Sequence, residues 1–183
     1  MRVIAGEFKG YTLTGPKSEK TRPTTDVVKE AIFCKLAYDV DEAVVLDLFA
    51  GSGALGIEAL SRGASDVDFV DFNNNAVSLT KKNLSHIYKN AKMTNVQVYK
   101  SDCRSFLNKT LKTYDIIFLD PPYDSKLYEE CLQIIFDKKL LNKDGIIVCE
   151  HTTDFKFDKF DKYVYDRKKY GNTSVSYLTY EHI

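Results

Sequence analysis

The sequence predicts an α/β fold built on one mostly parallel β-sheet. Short apolar segments alternate with helix-patterned segments from residue 43 to residue 150, and this alternation is typical of βαβ units, whose strands lie parallel. Two aromatic-rich segments of alternating polarity, 162–167 and 174–180, predict an antiparallel hairpin that closes one edge of the sheet. A looser alternation over residues 2–14, interrupted by glycines, predicts a second, small β-hairpin at the N-terminus.

The core elements follow one another in a regular order. Apolar runs predict strands at residues 43–49, 67–71, 96–99, 114–119 and 145–150. Helical spacing predicts helices at residues 55–62, 75–90, 104–111 and 127–138, after a first helix that ends near residue 37. Thr24 or Thr25 can cap that first helix, and Asp26 lies in its first turn.

Length and composition indicate one globular domain, 1–183, with an N-terminal extension (1–23) before the core (24–183). The 183 residues, 44% of them hydrophobic, can bury a sizeable core. No apolar run approaches the roughly 20 residues that span a bilayer, and no signal-peptide pattern opens the chain, so we expect a cytoplasmic protein without a membrane partner. Four cysteines without C-x-x-C or histidine spacing predict reduced thiols and no metal site.

The charge is balanced overall but uneven along the chain. With 26 basic and 26 acidic residues, the whole molecule is not a polycation that seeks RNA. Residues 1–22 nevertheless hold five basic and two acidic side chains, a net +3, and residues 167–169 form a second basic spot. Such spots can be solvated surface, or they can steer a polyanion, with Lys17, Lys20 and Arg22 as candidate phosphate contacts.

The first strand–helix junction carries a glycine-rich turn. Asp47 stands near the end of the strand, and Gly51, Gly53 and Gly56 follow with the spacing G-x-G-x-x-G. Glycines at such a turn allow the backbone to approach a bound nucleoside closely. Asp71 ends the next strand about 20 residues later, where a carboxylate can accept hydrogen bonds from ribose hydroxyls. The pattern predicts a nucleoside-bearing cofactor at the carboxyl edge of the sheet.

The acid before the glycines favours S-adenosylmethionine over NAD, which the turn alone leaves open. The Asp47 carboxylate would repel a pyrophosphate, whereas the amino group of a methionine moiety would compensate its charge. Asp102 follows the third strand and can accept the adenine amino hydrogens. Phe49 and Cys103, which lie close to these acids in the sequence, complete the predicted cofactor set.

The tetrapeptide Asp120-Pro121-Pro122-Tyr123 follows the apolar strand 114–119 and predicts the reaction. An exocyclic amine of a nucleobase is a poor nucleophile because its lone pair is delocalised into the ring. The Asp120 carboxylate and the Pro121 carbonyl can accept its two N–H hydrogens, since consecutive prolines leave a turn that presents acceptors only. Tyr123 can stack on the base, a contact worth about 1–3 kcal/mol. These residues predict methyl transfer to an amine held against the methyl donor.

Several segments together resemble the bacterial 16S ribosomal RNA guanine-N2 methyltransferases, the ribosomal small-subunit methyltransferase D family. The resemblance covers nearly the whole chain and is carried by residues 2–10, 21–30, 47–53, 55–64 and 120–123. The glycine turn and D-P-P-Y are shared by many amino-methyltransferases, whereas R-P-T-T-D at 22–26 is typical of this particular family.

The resemblance implies a Rossmann-like class I methyltransferase fold, with seven strands of which the last two form the antiparallel hairpin. It implies methyl transfer from S-adenosylmethionine to the N2 of a guanine in 16S rRNA, on the assembled or assembling 30S subunit. Gly51 and Gly53 would border the cofactor, and Arg22, Thr24 and Thr25 would line the mouth of the cofactor and substrate site. We expect the enzyme to be a monomer.

Three other functions stay open on the sequence alone. A DNA adenine-N6 methyltransferase would use the same D-P-P-Y chemistry, although no separate target-recognition segment is visible. An NAD-dependent oxidoreductase would use the glycine turn and Asp71, but it leaves Asp47 and D-P-P-Y unexplained. An RNA-binding protein without catalysis would use only the two basic spots.

Overall fold

The structure is a computed structural model that describes residues 1–16, 26–88, 95–122 and 125–180. Among these residues, no helix is long and apolar enough to cross a membrane. A 3₁₀-helix, Asp158–Tyr163, precedes the last two strands. The other elements are, in chain order, α1 (Asp26–Lys35), β1 (Val44–Asp47), α2 (Ala54–Ser61), β2 (Asp66–Asp71), α3 (Asn74–Tyr88), β3 (Asn95–Lys100), α4 (Cys103–Lys109), β4 (Tyr114–Leu119), α5 (Ser125–Asp137), β5 (Leu141–Thr152), β6 (Val164–Tyr170) and β7 (Thr173–Leu178).

The seven strands form one sheet in the order β3-β2-β1-β4-β5-β7-β6. Strands β1 to β5 pair in parallel, and β7 pairs antiparallel with both β5 and β6. The predicted seven-stranded, mostly parallel sheet with a C-terminal antiparallel hairpin is therefore confirmed. The strand order reverses at β1, because β2 and β3 lie on one side of it and β4 and β5 on the other. Open α/β sheets bind ligands at such a topological switch point.

Helices cover both faces of the sheet. We call the face that packs against α1, α2 and α3 the first face; it buries alternate strand residues such as Val45, Phe69 and Phe118. The second face packs against α4, α5 and the 3₁₀-helix and buries the residues between them, such as Leu46 and Ile117. Burial on both sides explains why the parallel strands are continuous apolar runs in the sequence.

The N-terminal hairpin is present only in reduced form. Arg2 and Thr12 make a single antiparallel bridge, and no strand forms over residues 1–16. Backbone hydrogen bonds still join the two arms, from the N–H groups of Val3, Gly10 and Leu13 to carbonyls of the facing arm. The N–H groups of Ile4 and Ala5 donate to the Glu58 carboxylate in α2, at 2.8 and 3.0 Å, so a helix side chain continues this pairing.

Strand β5 begins earlier than the sequence predicts. Residues 142–145 have the composition of a turn, yet they lie within β5. The register between β4 and β5 passes from Tyr114↔Leu141 to Ile116↔Ile146, so the extra residues form an irregularity in the strand. The 3₁₀-helix is an element that the sequence did not predict.

Candidate active site

Three carboxyl side chains lie in a row at the carboxyl edge of the sheet. Phe118 of β4 pairs with Asp47 of β1 and with Val148 of β5. Paired residues point to the same face, and side chains alternate along each strand. Two positions further along β4 and β5, Asp120 and Glu150 therefore extend from the first face, as Asp47 does. We call these three acids the carboxylate row.

Asp71 continues this edge on the other side of β1 and holds the glycine turn. Its Oδ2 accepts a hydrogen bond from the Gly51 N–H at 2.9 Å, and its Oδ1 accepts one from the Asn73 N–H at 2.8 Å. Gly51 and Gly53 have φ angles of 57° and 79°, a left-handed backbone that favours glycine. Each oxygen keeps lone-pair capacity for a further donor, as the predicted ribose contact requires.

Asp47 is the most deeply buried acid of the carboxylate row, with only 3% of its surface exposed. Its Oδ2 accepts a hydrogen bond from the Gly56 N–H in α2 at 3.0 Å. Burial raises the pKa of Asp47 to about 7; the Gly56 hydrogen bond opposes this rise, and the nearby Asp71 adds to it. A buried carboxyl with this pKa becomes a stable anion when a cation binds beside it.

Gly56 is required for this arrangement because α2 lies very close to β2. A Cβ atom at Gly56 would stand 2.3 Å from Cε1 of Phe69. We expect Gly56→Ala to cost about 1–3 kcal/mol of unfolding free energy, measured by urea denaturation. Gly15→Ala is the matched control, since its Cβ would meet only Met1 Cε at 3.8 Å. Equal stability of the two variants would show that the α2–β2 contact can relax.

Asp120 lies at the end of β4, beside Asp47 and Glu150. As a whole residue Asp120 is partly exposed at the edge of the sheet, whereas Pro121 is buried and Pro122 is exposed. Burial raises the pKa of Asp120 well above its ordinary value, and the like charges of Glu150 and Asp47 raise it further. The register Asp47↔Phe118 places Asp120, two residues further on, at the same edge of the sheet as Asp47.

Asp102 caps α4. Its Oδ1 accepts hydrogen bonds from the N–H groups of Arg104 and Ser105 at 3.0 and 3.1 Å, and its Oδ2 accepts one from the Arg104 guanidinium at 2.9 Å. The hydrogen bond from that guanidinium lowers the pKa of Asp102. Capping is a common role for an acid after a strand, and the predicted adenine contact would have to use the remaining lone pairs.

Cys103 and Phe49, the remaining members of the predicted cofactor set, both pack against the second-face core. Cys103 is buried in the second-face core together with Cys131. Its side chain therefore faces the protein interior, which leaves its backbone for a ligand at the edge. Phe49 is half-buried and packs against the same second-face core.

Comparison with known proteins identifies the family. The family described as conserved hypothetical protein 95 matches residues 1–179. YlbH of Bacillus subtilis, which is named as an rRNA methyltransferase, is 40% identical over 182 residues, 96% of this chain and 97% of YlbH. The ribosomal RNA small subunit methyltransferase D of Escherichia coli is 37% identical over 150 residues, 82% of this chain and 74% of that protein.

The chain belongs to the ribosomal small-subunit methyltransferase D family. A solved structure of the Escherichia coli protein yhhF, described as a methyltransferase, superimposes with a TM-score of 0.86 at 31% identity and covers 98% of this chain and 97% of that one. The Rossmann-like methyltransferase fold is therefore confirmed, together with the family that the sequence resembles.

Part of the family signature lies outside the described residues. This applies to Tyr123 of D-P-P-Y and to the predicted substrate residues Lys17, Lys20, Arg22, Thr24 and Thr25. Their roles stay predictions.

Two polar residues of α3 support the glycine turn and were missed in the sequence. Thr80 Oγ1 donates to the Gly51 carbonyl at 3.0 Å, and Asn83 Nδ2 donates to the Ser52 carbonyl at 2.8 Å. Asn83 also exchanges hydrogen bonds with the Thr14 backbone, at 2.9 and 3.0 Å. Both side chains are almost fully buried. The sequence sign of this role was the spacing of Thr80 and Asn83, two polar residues three positions apart on a helix face that is otherwise apolar.

Proposed function

We propose that the protein transfers a methyl group from S-adenosylmethionine to the exocyclic N2 of a guanine in 16S rRNA of the small ribosomal subunit. The observation that carries the proposal is the placement of Asp120, followed by two prolines, beside Asp47 at one sheet edge. This placement supports a site in which a flat amine and a methyl donor meet. The family relationship supports the rRNA substrate, and the resemblance of the D-P-P-Y and R-P-T-T-D segments supports guanine N2.

The edge fits S-adenosylmethionine, which when bound supplies a methyl group on a positively charged sulfur. The buried Asp47 carboxyl suits the amino group of the methionine moiety, and the Asp71 carboxylate suits the ribose hydroxyls. At Gly51 a Cβ atom would have its nearest contact at 3.9 Å, with the Phe49 carbonyl oxygen. This open space beside the turn gives a ligand room to approach the backbone.

The residues of the D-P-P-Y turn orient the amine that receives the methyl group. The Asp120 carboxylate and the Pro121 carbonyl accept the two amine hydrogens, which draws the lone pair out of conjugation and directs it at the methyl group. Because the turn is fixed by two prolines, little orientation remains to be lost when the base binds.

Cofactor affinity should depend on pH through Asp47. The Asp47 carboxyl is protonated below about pH 7 and ionised above it, and only the ionised form attracts the cationic amino group. We expect the affinity for S-adenosylmethionine to fall about tenfold per pH unit below 7 and to level off above it, as measured by calorimetry. Asp47→Asn should bind more weakly and lose this dependence; a wild-type affinity that is flat from pH 5.5 to 8.5 would exclude the role.

The proposed function is tested by comparing acceptors directly. The purified protein is incubated with methyl-labelled S-adenosylmethionine and either 30S particles from a strain without the protein, the extracted 16S rRNA, or duplex DNA. We expect label in the 16S rRNA, recovered as N2-methylguanosine. Label in DNA as N6-methyladenine would favour a DNA enzyme instead, and thermal stabilisation by NAD without any methyl transfer would favour an oxidoreductase.

A further inference from the structure

Glu150 is the member of the carboxylate row that neither the sequence pattern nor the proposed chemistry uses. Leu119 and Cys149 form the last residue pair between β4 and β5. Asp120 directly follows β4, Glu150 follows Cys149 within β5, and both residues are partly exposed at the edge. Neighbouring strands lie about 4.8 Å apart, which places the two side chains side by side.

The surroundings of Asp120 come from three elements. Asp47 faces it from β1, Glu150 and the buried Cys149 come from β5, and the buried Tyr128 comes from α5. The Tyr128 hydroxyl donates a hydrogen bond to the Glu150 backbone carbonyl, which ties β5 to α5. Two carboxyls, Glu150 and Asp47, thus act on Asp120 as like charges, with Glu150 the stronger of the two.

A carboxylate in this environment holds a proton more tightly than an ordinary aspartate, first because it is buried and second because adjacent like charges disfavour double ionisation. A general base works best when its proton affinity matches the working pH. An isolated aspartate, which loses its proton near pH 4, is a weak base at neutral pH. Burial of Asp120 and the charge of Glu150 both raise its proton affinity and so reduce this mismatch.

We propose that Glu150, through its place beside Asp120 at the edge of the sheet, makes Asp120 the proton acceptor of the methyl-transfer reaction; this rests on the proposed function. The amine nitrogen forms the new C–N bond as the C–S bond breaks, and the electron pair of that bond stays on sulfur. The surplus proton on nitrogen passes to the Asp120 carboxylate. Asp120 then releases it to water at the open edge. Glu150 is a positioning residue that acts through Asp120.

The test replaces Glu150 by glutamine, which keeps its shape and removes its charge. We expect the acid limb of the pH–rate profile to move to lower pH by about one unit, while the affinity for S-adenosylmethionine stays unchanged. Glu129→Gln is the matched control, because Glu129 lies on α5, is 56% exposed and pairs with Lys159. Its profile should coincide with that of the wild type.

A second readout does not depend on turnover. With aspartate carboxyl carbons labelled by ¹³C, the NMR signal that disappears in Asp120→Asn reports the titration of Asp120. Its midpoint should fall in Glu150→Gln and stay in place in Glu129→Gln. The inference would be overturned if the Asp120 midpoint did not move in Glu150→Gln, or if the midpoint moved and the pH–rate profile did not. Neither outcome would contradict the proposed function as long as the wild-type protein methylates 16S rRNA. A wild-type protein that methylates no RNA would refute the proposed function itself, and the acceptor role of Asp120 with it.

Discussion

Asp120→Ala is expected to lower kcat for methyl transfer to 16S rRNA by on the order of 10³-fold. The substitution removes the Asp120 carboxylate, which both orients the amine of the base and takes up the amine proton. Binding of S-adenosylmethionine should stay near the wild-type level, because the residues that suit the cofactor lie on β1, β2 and the glycine turn between β1 and α2. Single-turnover assays with 30S particles measure the first effect, and calorimetry measures the second.

Asp120→Asn separates the two contributions of this side chain. Asparagine keeps one carbonyl oxygen that can accept an amine hydrogen, but it cannot take a proton at neutral pH. We therefore expect activity between that of Asp120→Ala and the wild type. Full activity of Asp120→Ala, with rRNA as the acceptor, would remove the D-P-P-Y turn from the mechanism.

Glu58→Ala is expected to cost about 3–5 kcal/mol of unfolding free energy, because it leaves a buried charge without its partner. The Glu58 carboxylate is fully buried and lies 3.3 Å from Nζ of the equally buried Lys29 and 2.9 Å from Nε of Arg62. It also accepts the N–H groups of Ile4 and Ala5. Burial lowers the pKa of Lys29 even in the presence of Glu58, so loss of the carboxylate leaves the ammonium with little compensation.

The matched control for Glu58 is Glu130→Ala. Glu130 also pairs with an arginine, Arg104, at 2.9 Å, but its side chain is 44% exposed. Exposed pairs of this kind contribute about 0–1 kcal/mol. Urea denaturation of both variants should therefore separate them by at least 2 kcal/mol, and hydrogen exchange should show the loss of Glu58 chiefly at the amides of Ile4 and Ala5. A small cost at Glu58 would mean that water or another group compensates Lys29.

The positions of Asp47, Asp71 and Asp120 could be predicted because of a simple geometric rule. Parallel strands end at the same edge of a sheet, and each of these acids lies at or just beyond the end of an apolar run in the sequence. Glu150 obeys the same rule at the end of the apolar run 146–149. It was missed because no glycine or proline turn follows it to mark a chemical role.

The features that could not be predicted depend on contacts between distant residues. The N-terminal segment pairs with the Glu58 side chain, 53 and 54 residues away, and local alternation gives no sign of this partner. Thr80 and Asn83 support the glycine turn from another helix, 29 and 31 residues further along the chain. Their burial depends on how α3 packs, which a helical pattern alone does not specify.

The modified nucleosides of 16S rRNA from a strain that lacks this protein give the decisive measurement. Liquid chromatography with mass spectrometry should show the loss of one N2-methylguanosine, restored by the wild-type protein and not by a well-folded Asp120→Ala variant. An unchanged content of N2-methylguanosine in the deletion strain, or full restoration by Asp120→Ala, would show that the Asp120 edge does not methylate a guanine amine of the small subunit.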